Sequence, residues 1–151
     1  PFVVTADFLR RLIAHQGKLV AVGTTSVRTL ESLYYIGVNC IEKGYPHDVG
    51  QWDPYIRSYG YSLTEALNAI ISYMDAKGLD QLQAGTRIII VPGYDFKIVD
   101  VLVTNFHQPQ STLLLLISAF LKGEWKQVYD YALGNDFRFL SYGDSSILFR
   151  E

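Results

Sequence analysis

KLVAVGTTSVRTLESLYYIG, residues 18–37, changes its periodicity at a single glycine. Ahead of Gly23 the apolar run reads as a short buried strand; behind it Val27, Leu30, Leu33 and Tyr34 recur at helical spacing. Gly37 then reads as the helix stop, because glycine accepts the left-handed backbone that closes many helices. Strand, tight turn and helix in succession are the building unit of a layered α/β protein.

Outward from that unit the alternation continues. TADFLRRLIAHQG (5–17) places Phe8, Leu9, Leu12 and Ile13 on one helical face, with Thr5 as N-cap and Gly17 as stop. SLTEALNAIISYMDAKG (62–78) opens with Ser62 and Glu65 in capping-box spacing and carries Leu63, Leu67, Ile70, Ile71 and Met74 as an apolar stripe. TRIIIVPG (86–93) is expected as a buried strand closed by a Pro-Gly turn, and FKIVDVLVTN (96–105) as another strand. STLLLLISAFLKG (111–123) is apolar on nearly every side and reads as a buried helix, and EWKQVYDYALG (124–134) as a more amphipathic one. FRFLSYGDSSILF (137–149) gives two strand-like pieces around a turn. Residues 38–60 keep no sustained period, yet hold Tyr45, Trp52, Tyr55 and Tyr59, which argue for an ordered functional loop rather than a linker. The expected fold is α/β, a layered domain with a mixed, partly parallel sheet flanked by helices, spanning residues 1–151 as one domain.

Composition sets the outer bounds. With 49% apolar and 19% charged residues in 151, there is ample material for a packed core. The longest purely apolar runs, LLLLI (113–117) and IIIV (88–91), fall far short of the roughly 20 residues that span a bilayer. PFVVTADFLRR lacks the basic-then-apolar pattern of a secretory signal, so a cytoplasmic location without a membrane partner is expected. The opening on Pro1 suggests a processed chain, a tag remnant or a piece of something longer. Cys40 stands alone, which leaves no intramolecular disulfide or multi-cysteine zinc site, and its neighbours Asn39 and Ile41 offer no base to activate it. A net charge of −2 makes diffuse attraction to nucleic acid weak, so any RNA contact is local; Arg10, Arg11, Lys18 and Arg28 against Asp7 form a modest basic excess, or simply solvated helix charges.

Three polar clusters fall at the ends of expected strands, where open α/β sheets bind ligands. In GTTSVRTLES, Thr24, Thr25 and Ser26 lie at a helix start whose unpaired N–H groups favour an anion, although the same residues serve as caps, and Arg28 and Glu31 can pair locally. In TNFHQPQST (104–112), Gln108, Ser111 or Thr112 can cap the following helix and Pro109 suits its first turn, which leaves Thr104, Asn105 and His107 without a local explanation. A histidine beside a helix start is disfavoured as imidazolium and suited to accept a proton. In RFLSYGDSS, Asp144 follows Gly143 in a turn that can satisfy its own backbone, with Tyr142 beside it and Arg138 as a charge partner.

Taken together, VAVGTTSVRTLES (20–32), PGYDFKIVDVLVTNFHQPQSTLLLLISAF (92–120) and FRFLSYGDSSILF (137–149) resemble, in the same order, the S-adenosylmethionine:tRNA ribosyltransferase-isomerases of queuosine biosynthesis. The chain departs from the family pattern at Val91, Gln108 and Ser145-Ser146. Members are about twice this length and carry an additional β-barrel domain, so the resemblance implies a C-terminal portion whose partner is the N-terminal portion of the same enzyme. It implies transfer of the ribosyl group of S-adenosylmethionine, a substrate rather than a resident cofactor, to 7-aminomethyl-7-deazaguanine at the tRNA wobble position, giving epoxyqueuosine without a metal. That chemistry needs a base beside the sulfonium carbon, assistance to adenine departure, and donors for ribose and carboxylate. The implied roles are acid/base catalysis by His107 and Asp144, and carboxylate or phosphate binding by Thr24, Thr25, Ser26 and Arg28. Thr104 and Asn105 would bind ribose or base edges, and Phe106 or Tyr142 would hold the sulfonium by cation–π attraction. Competing readings are a catalytically incomplete module that binds S-adenosylmethionine or tRNA, and an α/β interaction scaffold built on eleven tyrosines.

Overall fold

The computed structural model describes residues 1–105, 114–122 and 145–150, with only the backbone of Asn105, Ser145 and Ser146. The chain divides into two compact units, Pro1–Gly17 with Thr29–Ile88, and Lys18–Arg28 with Ile89–Glu151.

In the first unit, β1 (Phe2–Thr5) pairs antiparallel with β3 (Gln81–Ala84), Phe2 opposite Ala84 and Thr5 opposite Gln81. Thr5 ends the strand and caps α1 (Ala6–Ala14), its hydroxyl accepting the Phe8 N–H at 3.0 Å, which satisfies one of the helix's orphan donors. α1 packs on α4 (Leu63–Lys77). The expected capping box forms there, Ser62 and Glu65 exchanging both bonds at 3.1 Å, and Gly78 closes the helix with φ of 67°. Leu67, Ile70 and Met74 are wholly buried, each stabilising the unit by about 1.5–3 kcal/mol.

α2 (Thr24–Lys43) does not stop at Gly37. Instead α4 crosses so close that a Cβ on Gly37 would sit 2.2 Å from the Ala66 carbonyl oxygen, so this glycine serves helix contact rather than helix termination. The segment beyond α2 is ordered by its aromatics, with one short helix, α3 (Asp53–Ile56). Tyr34 donates to the Tyr61 carbonyl and Tyr59 to the Asp53 carbonyl, both at 2.7 Å. Arg57 pairs with Glu42 and lays its guanidinium 4.4 Å from the Tyr59 ring centre.

In the second unit a mixed sheet runs β2 (Val20–Val22), β4 (Val101–Asn105), β5 (Ser145–Phe149); β2 and β4 are parallel, β4 and β5 antiparallel. α5 (Leu114–Leu121) packs against β5, and its Phe120 meets Phe96 edge-on at 5.1 Å. Apart from Leu115 and the partly covered Ser118, α5 is buried, as its all-round apolarity anticipates.

Several strand expectations need correction; the strand expected over 96–105 begins only at Val101. Residues 86–93 form no strand, because the Thr86 hydroxyl takes the Ile88 N–H at 3.1 Å and draws the backbone out of a ladder. Ile88 and Ile90 are nevertheless buried. Strand β3 instead uses Leu82 and Ala84, too short an alternation to register in the sequence. β2 is covered on one side only, Ala21 being 2% exposed and Val22 69%. The helix expected at 124–134 and the first strand piece of 137–149 lie outside the described residues.

Gly37→Ala should lower stability by about 1–3 kcal/mol through overpacking against α4. Gly60→Ala, where a Cβ meets nothing within 4 Å, should stay within about 0.5 kcal/mol of the parent in the same urea titration.

Candidate functional site

The carboxyl end of the parallel pair gathers two of the three sequence clusters. β2 ends at Val22, opposite Val103, and the Gly23 N–H donates to the Val103 carbonyl at 2.7 Å. Gly23 has φ of 88°, a left-handed conformation that releases the chain directly into α2. Thr24, Thr25 and Ser26 are therefore the first residues of that helix, with Thr24 buried, Thr25 and Ser26 exposed and Arg28 half-buried. No acidic side chain occupies the first turn, so the positive end of the helix dipole there is uncompensated by a carboxylate of its own. Thr104, buried, and Asn105 finish β4 at the same end, and Asn105 pairs with Ser145 at the start of β5. Phe106, His107, Tyr142 and Asp144 lie outside the described residues.

At the opposite end Asp100 ties the sheet together. One carboxylate oxygen accepts the Leu19 N–H ahead of β2 at 2.9 Å; the other accepts from Arg150, just after β5, also at 2.9 Å. Arg150 in turn donates to the Val99 carbonyl at 3.1 Å. Burial alone pushes the Asp100 carboxyl up, but the Leu19 N–H and the Arg150 guanidinium together outweigh it and hold the group below the ordinary carboxylate range.

The sequence reading passed over a second feature in the first unit. A cavity of about 440 Å³ is lined by Lys43, His47, Asp48, Asp53, Thr86 and Arg87, among others. Its walls are joined by a parallel bridge, Val49 with Thr86, in which Val49 donates to the Gly85 carbonyl and accepts from Arg87. Asp48 accepts the Gly85 N–H at 2.9 Å and Asp53 the Gly50 N–H at 2.7 Å. Both carboxylates sit close over their glycines: a Cβ on Gly85 or Gly50 would lie 2.6 Å or 2.8 Å from the carboxylate it binds, so that carboxylate would have to shift. His47 Nδ1 lies 2.7 Å from the Asp48 carbonyl, which can only accept, so Nδ1 is the donor in this bond. The long aperiodic loop was the available signal; of its two Gly–Asp partnerships Gly50–Asp53 is local, but Gly85–Asp48 joins residues 37 positions apart and has no local pattern.

Elsewhere, burial raises the Cys40 thiol to about 11, in keeping with an inert cysteine. Arg10 and Arg11 are engaged in surface ion pairs with Asp75 and Asp7, at 3.3 and 3.0 Å, which leaves less positive charge there for RNA than the sequence count allows. Among the described residues no helix is long and apolar enough to cross a membrane.

Comparison with known proteins places these features in a family. The sequence pattern of the family described as "Queuosine biosynthesis protein" matches residues 3–148. The chain belongs to that family. A curated relative from Chelativorans sp. (strain BNC1), named S-adenosylmethionine:tRNA ribosyltransferase-isomerase, is 37% identical over 150 residues, 98% of this chain and 31% of the relative. A protein of the same name from Rhodopseudomonas palustris (strain BisB5) is 39% identical over 148 residues, 97% of this chain and 30% of its own length. The crystal structure of S-adenosylmethionine tRNA ribosyltransferase from Thermotoga maritima superposes with a TM-score of 0.63 at 28% identity, covering 96% of this chain and 39% of that one. The chain thus spans about a third of the length of the curated relatives it matches, which are therefore about three times its length rather than the twofold expected.

In this queuosine biosynthesis family member, Asp100→Asn should remove the charge that joins β2 to β5 and cost about 1 kcal/mol at neutral pH, allowing for its partial exposure. Because the folded carboxyl is depressed, its contribution is present above the unfolded value of about 3.9 and is lost as pH falls through the folded value. Urea titrations of parent and variant should therefore differ at neutral pH and converge as pH falls through the folded value.

Proposed function

We propose that this chain is part of an enzyme that transfers the ribosyl group of S-adenosylmethionine to 7-aminomethyl-7-deazaguanine at the tRNA wobble position and isomerises it to the epoxycyclopentanediol of epoxyqueuosine. The observation that carries the reading is the convergence of Gly23–Ser26 and Thr104–Asn105 at the carboxyl end of the parallel strands, in a chain whose relatives bear that enzyme's name. The start of α2, with Thr24, Thr25, Ser26 and Arg28, suits the methionine carboxylate, since helix N–H groups, hydroxyls and a guanidinium all favour an anion. Thr104 and Asn105 supply hydrogen bonds for ribose or a base edge. In the sequence His107 stands two residues after β4 and Asp144 immediately before β5, and these two are the proposed acid/base groups. Phe106 and Tyr142 are the proposed sulfonium contacts.

Balanced chemistry follows from these assignments. A base takes a proton from the acidified carbon beside the sulfonium, adenine leaves carrying one proton, the aminomethyl nitrogen bonds to the former ribose and gives up a proton, and the sulfonium carbon closes the carbocycle and epoxide as methionine departs. The nucleic-acid partner is the tRNA, and the remaining length of the enzyme supplies the rest of the site. A binding module without turnover is the second reading, favoured by the chain's spanning about a third of its relatives; release of adenine separates the two.

Titrating S-adenosylmethionine into the chain by calorimetry should give saturable binding, weakened about tenfold or more in Arg28→Ala by loss of a charge-assisted contact. Binding unchanged by that substitution would contradict the carboxylate assignment.

A further inference from the structure

The cavity of the first unit and the aromatic loop beside it have no part in the roles assigned above. Lys43 and Arg87 line the cavity, and neither forms an ion pair among the described residues. Asp48 and Asp53 line it too, each fixed by a glycine N–H. Two basic side chains face two carboxylates there, and the Pro1 terminus also lines the cavity, so the lining carries both signs of charge. It fits a ligand that offers one anionic group to the cations and hydrogen-bond donors to the acids. At about 440 Å³ the volume falls within the range of small-ligand pockets.

Next to the cavity stand large apolar rings in water. Tyr45 is 48% exposed and its ring meets that of His47, a cavity residue, edge-on at 5.6 Å. Trp52, 53% exposed, precedes the cavity residue Asp53 and is braced edge-on by Tyr55 at 5.9 Å. Two exposed, braced aromatics flanking a pocket with unpaired cations are the components with which proteins hold unpaired nucleotides: rings stack on bases, and cations track the backbone. Carboxylates accept from the amino and imino edges of bases, as Asp and Glu do in base readout.

From this arrangement we infer that the cavity lined by Lys43, His47, Asp48, Asp53 and Arg87, with Tyr45 and Trp52 at its rim, holds an unpaired nucleotide of RNA. One phosphodiester lies against Lys43 and Arg87, the base edge meets Asp48 and Asp53, and Tyr45 and Trp52 stack on this base or its neighbours. The inference rests on the RNA-modifying reading above and adds a contact surface outside the residues assigned to the ribosyl donor.

The test uses a short fluorescein-labelled single-stranded RNA and the same sequence as a duplex, with binding to the chain followed by anisotropy at several salt concentrations. The single strand should bind more tightly than the duplex. Trp52→Ala and Tyr45→Ala should each weaken it roughly tenfold, as loss of one stacked base does. Lys43→Ala with Arg87→Ala should flatten the log–log salt slope by roughly 0.7, the loss of one neutralised phosphate. All four side chains belong to exposed residues, so circular dichroism should report unchanged folding. Equal binding of strand and duplex, or binding indifferent to these substitutions, would overturn the site while leaving an RNA contact elsewhere. Absence of RNA binding would overturn it as well. Titration of S-adenosylmethionine into the same variants should be unchanged, so failure of this site and failure of the enzyme reading give different results.

Discussion

One hydrogen bond organises the residues that matter most. The Gly23 N–H reaches the Val103 carbonyl at 2.7 Å and makes the last rung of the parallel β2–β4 pair, while its φ of 88° turns the chain at once into α2. A residue with a Cβ is strained in that conformation, and a longer turn would carry Thr24–Ser26 away from Thr104 and Asn105. Asp100 holds the other end of the same strands through Leu19 and Arg150, so both ends of the short ladder are fixed by polar contacts rather than by strand length. A three-residue strand has few ladder bonds of its own, and such contacts set its register.

Much of this was legible from local pattern. The turn at Gly23, the Thr5 cap, the Ser62–Glu65 capping box and the Gly78 terminus all depend on residues within a few positions of one another, and all appear. The failures share a cause in long-range contact. Gly37 read as a stop because its partner, Ala66, is remote in sequence and belongs to another helix. Residues 86–93 read as a strand because apolarity was visible and the Thr86 hydroxyl's competition for the Ile88 N–H was not.

The proposed site residues divide in the same way. The Gly-Thr-Thr-Ser turn announced itself by strand-end position, and the β2–β4 register brings it to Thr104 and Asn105. The cavity at Lys43, His47, Asp48, Asp53 and Arg87 did not, because its two halves meet through the Val49–Thr86 bridge and a carboxylate bonded 37 positions away. What the sequence did signal was order in the surrounding loop, through Tyr59 and its neighbours. The structure supplies the reason: tyrosine hydroxyls satisfy backbone carbonyls at 2.7 Å and Arg57 covers a ring.

In the proposed function these residues form the donor end of a ribosyl-transferring site. The most direct test grafts the chain in place of the matching segment of the Thermotoga maritima relative, which it covers over 39% of that chain, and measures adenine release from S-adenosylmethionine with tRNA carrying the aminomethyl base. The account predicts release of adenine together with ribosylated tRNA, abolished by His107→Gln. A chimaera that unfolds cooperatively, binds the tRNA and releases no adenine would contradict it.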